Sequence, residues 1–431
     1  MGIGPDRTTA QRGRGWGRTI KGLVAVAVLV LAATACEGVV ADRINEQRTA
    51  QGRSELPVAA YLTEATRAHS SAMCTAGQAQ PSPDPLVTYG GETAVALDEL
   101  VGSAPLDPAL TDPGQRNAAA TNAVWAQWQG DPSLVDARWN EMGVGEVTCP
   151  DGRLYLSAAL RENPSMPASG RYVTPVHPAA QVQVLSGLRY GQAVNHQGVL
   201  VDLVLDLYVP PVGPVAERPL IVMVHGGGFS GGTRANLATT AREYARRGFV
   251  AASIDYRLRP NETLEEQLVA ASAAIDDAME SVRWLKSQAA TYGIDTDRIA
   301  LLGTSAGGAI ALGVAVAEDP TPGGPLAAFS PRIAAGVSTG AHLTPGLSII
   351  DLQPTDSPVM MFHYDQDTSR FRAPWDYAYR TCAAIHAAGN ICDSIRLPGE
   401  GHTVSLSPTG PWYQPEIGPF LWHHLGLDPE A

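Results

Sequence analysis

The chain has 431 residues, 45% of them hydrophobic, and carries a formal net charge of −13 at pH 7. That length exceeds one average domain, so more than one folded unit is expected. An acidic chain with no basic stripe and no aromatic-interleaved basic patch does not suit nucleic acid as a partner. Scattered histidines and the lack of close cysteine neighbours at zinc-ligand spacing give no reason to expect a metal, and nothing calls for a cofactor.

The chain opens on Arg7, Arg12, Arg14, Arg18 and Lys21 against one acid, Asp6, followed by an apolar run from Leu23 to about Leu31. The small-residue stretch Ala32-Ala33-Thr34-Ala35 precedes Cys36. Basic start, short apolar middle and small-residue end are the parts of a secretion signal, too short for a stable membrane span. Residues 1–36 are therefore expected to direct export, to the cell envelope or beyond. Ala33-Thr34-Ala35 satisfies ordinary cleavage. Cys36 resembles the acceptor of a bacterial lipoprotein, although Ala33 stands where leucine is usual. Membrane anchoring through Cys36 and a freely secreted chain are the two alternatives.

After the leader, Val39 to Arg48 and Leu62 to Met73 read as helices, the second with its apolar residues on one face. Val124 to Trp128 reads as part of a further helix, and Met142-Gly143-Val144-Gly145 leads into a hairpin from Glu146 to Leu160. The other four cysteines fall into two local pairs, Cys74 with Cys149 and Cys382 with Cys392, and an exported chain favours disulfides over free thiols. The string Ile44-Asn45-Glu46-Gln47-Arg48, then Leu56-Pro57-Val58, then Gly91-Glu92-Thr93-Ala94, resembles bacterial CAP-superfamily domains over residues 37–163. The resemblance implies a small α+β unit, an α-β-α sandwich. That family's cavity holds two histidines and two acids, of which only Glu92 has a counterpart here. The front unit is expected to do no chemistry and to serve as a structural or targeting module for cell-envelope association. Residues 164–181, opening on Pro164-Ser165-Met166-Pro167, read as a linker.

Residues 182–428 carry the chemistry. The apolar run Pro219 to Val224 reads as a strand and ends in His225-Gly226-Gly227-Gly228-Phe229. A glycine run after a strand leaves N–H groups bare, able to face an oxygen that becomes negatively charged. Ile299 to Leu302 reads as another strand and ends in Gly303-Thr304-Ser305-Ala306-Gly307-Gly308. This has the form of a nucleophile elbow, with Ser305 on a sharp turn between glycines and the small-residue run Ala306 to Val316 as the helix behind it.

A serine hydroxyl needs a base and a group that orients the base. Pro358 to His363 reads as a buried strand entering a turn, Tyr364-Asp365-Gln366-Asp367. Asp367 is favoured as the acid because a loop must run a few residues past its strand to reach beneath an imidazole; Asp365 is the alternative. His402, on the loop Pro398-Gly399-Glu400-Gly401-His402, is the expected base. His423 and His424 lie in the closing helix Pro419 to Leu425 and read as packing residues. His363 and His225 are not placed to relay a proton.

Residues from about Val182 to Leu427 resemble the hormone-sensitive-lipase-like and carboxylesterase-like α/β-hydrolases whose elbow reads Gly-Thr-Ser-Ala-Gly-Gly. Asp255-Tyr256-Arg257-Leu258 after the strand Val250 to Ile254 is similar too. The resemblance implies a mostly parallel central sheet and a triad of Ser305, Asp367 and His402. It also implies an oxyanion hole from the N–H groups of Gly227, Gly228 and Ala306. Tyr364 departs from it, since glycine is usual after the residue matching His363.

Only about 20 residues separate the strand Ile333 to Val337 from Pro358, too few for a large helical lid. An open site suits short acyl groups on small molecules or on glycans better than long lipid chains. Two rival readings are a prolyl-oligopeptidase-like serine peptidase and an envelope-binding protein with an inert hydrolase half. The first expects a propeller of short strands in front.

Overall fold

A computed structural model describes residues 37–56, 58–82, 96–136, 139, 141–162, 166–213, 217–318, 326–343, 350–369 and 375–427. The leader, Cys36 and the Gly91–Ala94 segment lie outside the described residues, so the readings placed on them have no structural counterpart here.

The front unit contains helix α1 over 37–50, α2 at Ala60–Ala76 and α3 at Pro113–Trp128. Its antiparallel sheet has the order β1 (Ala96–Pro105), β3 (Arg153–Glu162), β2 (Glu141–Thr148). Alternation along β3 divides the layers. Leu154, Leu156, Ala158 and Leu160 face a core built with Ile44 of α1 and Val124 of α3, whereas Tyr155 packs with Met73 of α2. The unit is thus three-layered, with α2 on one face of the sheet and α1 and α3 on the other. Met142 to Gly145, expected before the hairpin, lies inside β2 instead. A Cβ on Gly143 would stand 2.3 Å from the Leu62 carbonyl carbon, and one on Gly145 would stand 2.1 Å from the Arg67 nitrogen. The two glycines therefore let α2 lie directly against the strand. Cys74 and Cys149 are bonded with their Cα atoms 5.8 Å apart, tying the end of α2 to the end of β2.

The second sheet has eight strands: β4 (Gln183–Val194), β5 (Leu200–Val209), β6 (Arg218–Val224), β7 (Val250–Ile254), β8 (Ile294–Thr304), β9 (Ala335–Thr339), β10 (Val359–Asp367) and β11 (Cys392–Gly401). Their order is β4-β5-β7-β6-β8-β9-β10-β11. β5 pairs antiparallel with both of its neighbours, and every other pairing is parallel. This is the arrangement of the α/β-hydrolase fold. The central strands carry continuous buried apolar runs, Leu220 to Val224 in β6 and Ile299 to Leu302 in β8, because both faces are covered there. Val222 and Leu301 face a core shared with α5 (Leu264–Ser287) and α6 (Ala306–Val316). Met223 and Leu302 face one shared with α4 (Ala238–Arg246) and α8 (Gly418–His424). Helix α7 (Trp375–Ala387) is joined to β11 by the Cys382–Cys392 disulfide, with Cα atoms 5.2 Å apart. Both cysteine pairs expected from the sequence lie at disulfide distance.

Two expectations need correction. The described part of the presumed linker is a packed strap: Val173 is buried, Tyr172 N donates to Arg247 O (2.8 Å), and the Arg247 guanidinium donates to Val173 O and Pro408 O. Its proline and serine content reflects irregular backbone, while Tyr172 and Val173 supply the apolar anchors. The presumed turn Tyr364 to Asp367 is the last part of β10, since its backbone finds a partner in β11 up to the pair Asp367 and Gly401.

The front unit docks beside β11. Leu62 and Ala159 join the core that contains Ile395, Leu397 and Phe420. At the same seam Arg161 pairs with Glu141 and approaches Asp393 (3.9 Å). Burial, then the charge of Glu141, pushes the nearby Glu416 carboxyl up to about 8.

Candidate active site

Strand β8 ends at Thr304, and α6 begins at Ala306. Ser305 between them has φ 54° and ψ −121°, a conformation that costs a non-glycine residue energy and turns its side chain clear of the sheet. The flanking glycines are sterically required. A Cβ on Gly303 would stand 1.9 Å from Gly307 O, and one on Gly307 would stand 2.1 Å from Val224 O. Ser305 N donates to Thr339 O (2.8 Å), which fixes the turn to the end of β9.

Ser305 Oγ lies 2.8 Å from His402 Nε2, and His402 Nδ1 lies 3.0 Å from Asp367 Oδ2. The structure thus brings Ser305, His402 and Asp367 into one line of contact. The Asp367 side chain is 2% exposed and that of His402 is 27% exposed, so the carboxylate is covered while the imidazole remains partly open. Burial works against the charged form of Asp367. Hydrogen bonds from Ser369 N (2.6 Å) and from His402 outweigh it and hold the carboxyl below its ordinary value. A carboxylate there keeps the proton on Nδ1, leaving Nε2 to accept from the serine.

Adjacent strands hold Asp367 and His402. The β10–β11 ladder continues past a bulge to Asp367 and Gly401, and Thr368 N donates to Gly401 O (3.0 Å). The Tyr364 ring lies against Gly401, where an added Cβ would come within 2.6 Å of it. Beyond the histidine, Val404 N donates to Thr339 Oγ1 (2.7 Å). Thr339 therefore anchors both the nucleophile turn and the base loop. The sequence carries no signal for this beyond its place at a strand end.

The glycine loop after β6 abuts the elbow: a Cβ on Gly226 would stand 3.1 Å from Ser305 Cβ. Gly227 (φ 122°), Gly228 (φ 59°) and Phe229 (φ 59°) all have positive φ. Gly227 O accepts from Ser230 N and Gly231 N, which turns the N–H of the same peptide, that of Gly228, the other way. His225 Nδ1 lies 2.7 Å from Gly226 O and acts likewise on the Gly227 peptide; burial depresses its basicity and keeps the ring neutral. Ala306 is the first residue of α6, so its N–H has no partner within the helix.

The remaining histidines have other contacts. His363 Nε2 lies 2.6 Å from Ala341 O, and His424 packs on Phe420 in α8. A groove of about 480 Å³ lies on the front unit between α1 and α3, lined by Arg43, Gln47 and Trp125. It belongs to elements that contribute nothing to the Ser305 constellation.

Comparison with known proteins adds to this picture. A family model described as BD-FAE matches residues 205–322, a stretch that contains the glycine loop and Ser305 and stops before Asp367 and His402. The esterase LipI of Mycobacterium tuberculosis is 36% identical over 135 residues, 29% of this chain and 40% of that protein. The carboxylesterase NlhH of the same organism is 36% identical over 137 residues, 31% of this chain and 40% of its own length. The chain thus spans about two fifths of these relatives. A solved structure of a thermophilic esterase, Est2 of Thermogutta terrifontis, aligns with 60% of this chain and 98% of its own at 22% identity and a TM-score of 0.46.

Proposed function

We propose that the chain is a serine carboxylesterase that cleaves short-chain acyl esters of small molecules or glycans. One observation carries the reading: Ser305 Oγ, His402 and Asp367 stand in hydrogen-bonding sequence at 2.8 and 3.0 Å. The names of the relatives, an esterase and a carboxylesterase, support the same reaction class.

In this reaction Ser305 Oγ attacks the acyl carbon while its proton passes to His402 Nε2. The carbonyl oxygen becomes negative and is met by the N–H groups of Gly227, Gly228 and Ala306, each such donor being worth about 3–4 kcal/mol to the transition state. Collapse expels the alcohol, which takes the proton from His402, and leaves the acyl group on Ser305. Water then attacks with His402 as base, releasing the carboxylic acid and returning the proton to the serine. Asp367 stays ionised and steadies the imidazolium in both halves.

The short-chain preference rests on the segment between β9 and β10, whose described residues contain no helix that could form a lid. The front unit, with its α-β-α layering, is read as a CAP-like module that associates with cell-envelope material. Residues 1–36 are read as the export signal, with Cys36 as the candidate lipid-anchoring position. The peptidase alternative loses ground because the described front residues build a single three-stranded sheet rather than propeller blades. A panel of p-nitrophenyl acyl esters, acetylated glycans and proline-containing peptides tests the reading. Turnover of acetate and butyrate esters, falling steeply beyond about six to eight acyl carbons, is expected from an open, shallow site. Peptide cleavage without ester turnover, or faster hydrolysis of palmitate than of butyrate, would contradict it.

A further inference from the structure

The segment 255–263, between β7 and α5, donates to three carbonyls of the glycine loop. Tyr256 Oη donates to His225 O (3.0 Å), and its ring stacks on the His225 imidazole with centroids 4.5 Å apart. Arg259 N donates to Phe229 O (2.9 Å). Asn261 Nδ2 donates to Gly228 O (2.7 Å) and to Arg259 O (3.2 Å), and Asn261 is 4% exposed. Both partners of that amide are carbonyl oxygens, so its nitrogen must face them.

The loop needs such support. Three successive residues have positive φ, and the third, Phe229, is a bulky side chain in a region that costs about 1–3 kcal/mol and persists only where neighbours hold it. The Gly228 carbonyl belongs to the peptide that joins Gly228 to Phe229. Without a donor, this peptide is a natural place for the backbone to relax by rotating, and rotation there would swing the Gly227 and Gly228 amides away from Ser305. A buried carbonyl left unpaired also carries a desolvation penalty.

We propose that Asn261 is a positioning residue for the oxyanion hole. Its buried side-chain amide clamps the Gly228–Phe229 peptide, so the Gly227 and Gly228 N–H groups meet the developing oxyanion already aimed. The inference rests on the esterase reading of Ser305 and adds a group outside the triad and outside the glycine motif. It also assigns a task to the strained Phe229: with its φ fixed positive, the chain turns sharply enough for Arg259 and Asn261 to reach successive carbonyls.

The test uses the full chain and three variants. Asn261→Asp keeps the shape and sets a carboxylate against the two carbonyls; Asn261→Ala removes the donor; Asn261→Ser keeps a shorter donor and serves where the others fail to fold. Turnover of p-nitrophenyl butyrate is measured together with inhibition by a trifluoromethyl ketone, which becomes a tetrahedral oxyanion on the serine, and by butyrate, which does not. Asn261→Asp and Asn261→Ala are expected to lower kcat by about 10- to 100-fold, the size of effect that a small misplacement of catalytic groups produces. KM should stay within about twofold, as for an interaction made only in the transition state. Ketone affinity should fall in step with kcat while butyrate inhibition holds, and Asn261→Ser should lie between wild type and Asn261→Ala. Folded variants with wild-type kcat, or with reduced kcat but unchanged ketone affinity, would overturn the inference alone. A wild-type chain without ester turnover would overturn the esterase reading and this inference together.

Discussion

Asp367 receives the Ser369 amide and the His402 ring at once. Asp367→Asn should therefore lower kcat on p-nitrophenyl esters by roughly 10⁴-fold, because an amide cannot hold the tautomer that accepts the serine proton. Asp365→Asn should leave kcat within about tenfold of wild type. If Asp365→Asn is the more damaging change, the contact seen at His402 is not the one used in turnover. Ser305 and His402 could be singled out in the sequence because each sits in a glycine-rich string with a steric reason for its glycines. For the acid, the distance past the strand favoured Asp367 over Asp365 without fixing the choice. The choice depends on how far β10 stays paired with β11 past the bulge at Pro398-Gly399, and a Pro-Gly pair reads locally as a loop rather than as a strand that continues.

At the scale of elements, the glycines of β2 decide how α2 seats. Gly145→Ala would drive a Cβ into the backbone of Arg67, an overpacking that costs about 1–3 kcal/mol. Thermal unfolding of Gly145→Ala should begin at clearly lower temperature than that of wild type; an unchanged melting curve would mean α2 is not held against the strand. Strands with continuous apolar runs were legible: β7 spans Val250–Ile254, as its sequence suggests, and β6 begins one residue before the expected Pro219. β1 was not. Its sequence, Ala-Leu-Asp-Glu-Leu-Val-Gly-Ser-Ala-Pro, has no apolar alternation, and its strand state comes from pairing with β3. β9 begins at Ala335, two residues later than expected, since its pairing with β8 starts at Ala300 and Ala335.

On the scale of the molecule, the front unit and the eight-stranded sheet share one buried charged seam. Glu141, Arg161, Asp393 and Glu416 meet there, three carboxyls around one guanidinium, and Glu416 responds by holding its proton up to about 8. A carboxyl whose folded-state value is raised stabilises the fold fully below its ordinary range near 4.5, and that contribution is lost as pH rises toward about 8. Glu416→Gln cannot ionise, so its melting temperature should gain on that of wild type between pH 5 and pH 8. A difference between the two proteins that stays flat with pH would show that the seam does not hold a protonated carboxyl. Sequence composition could not show this seam, which joins residues more than 200 positions apart. The strap at Tyr172 and Val173 was hidden for the same reason: its partners, Arg247 and Tyr413, come from distant segments.

The central claim is that Ser305 is a nucleophile activated by His402. The most direct measurement treats the folded chain with an organophosphate that modifies activated serines and maps the adduct by peptide mass spectrometry, with Ser305→Ala and His402→Ala alongside. The expected result is one adduct on Ser305, matched by loss of p-nitrophenyl butyrate turnover, with no labelling of Ser305→Ala and labelling slowed by orders of magnitude in His402→Ala. An unlabelled wild-type chain that still hydrolyses the ester, or an adduct on another residue that tracks the loss of activity, would contradict it.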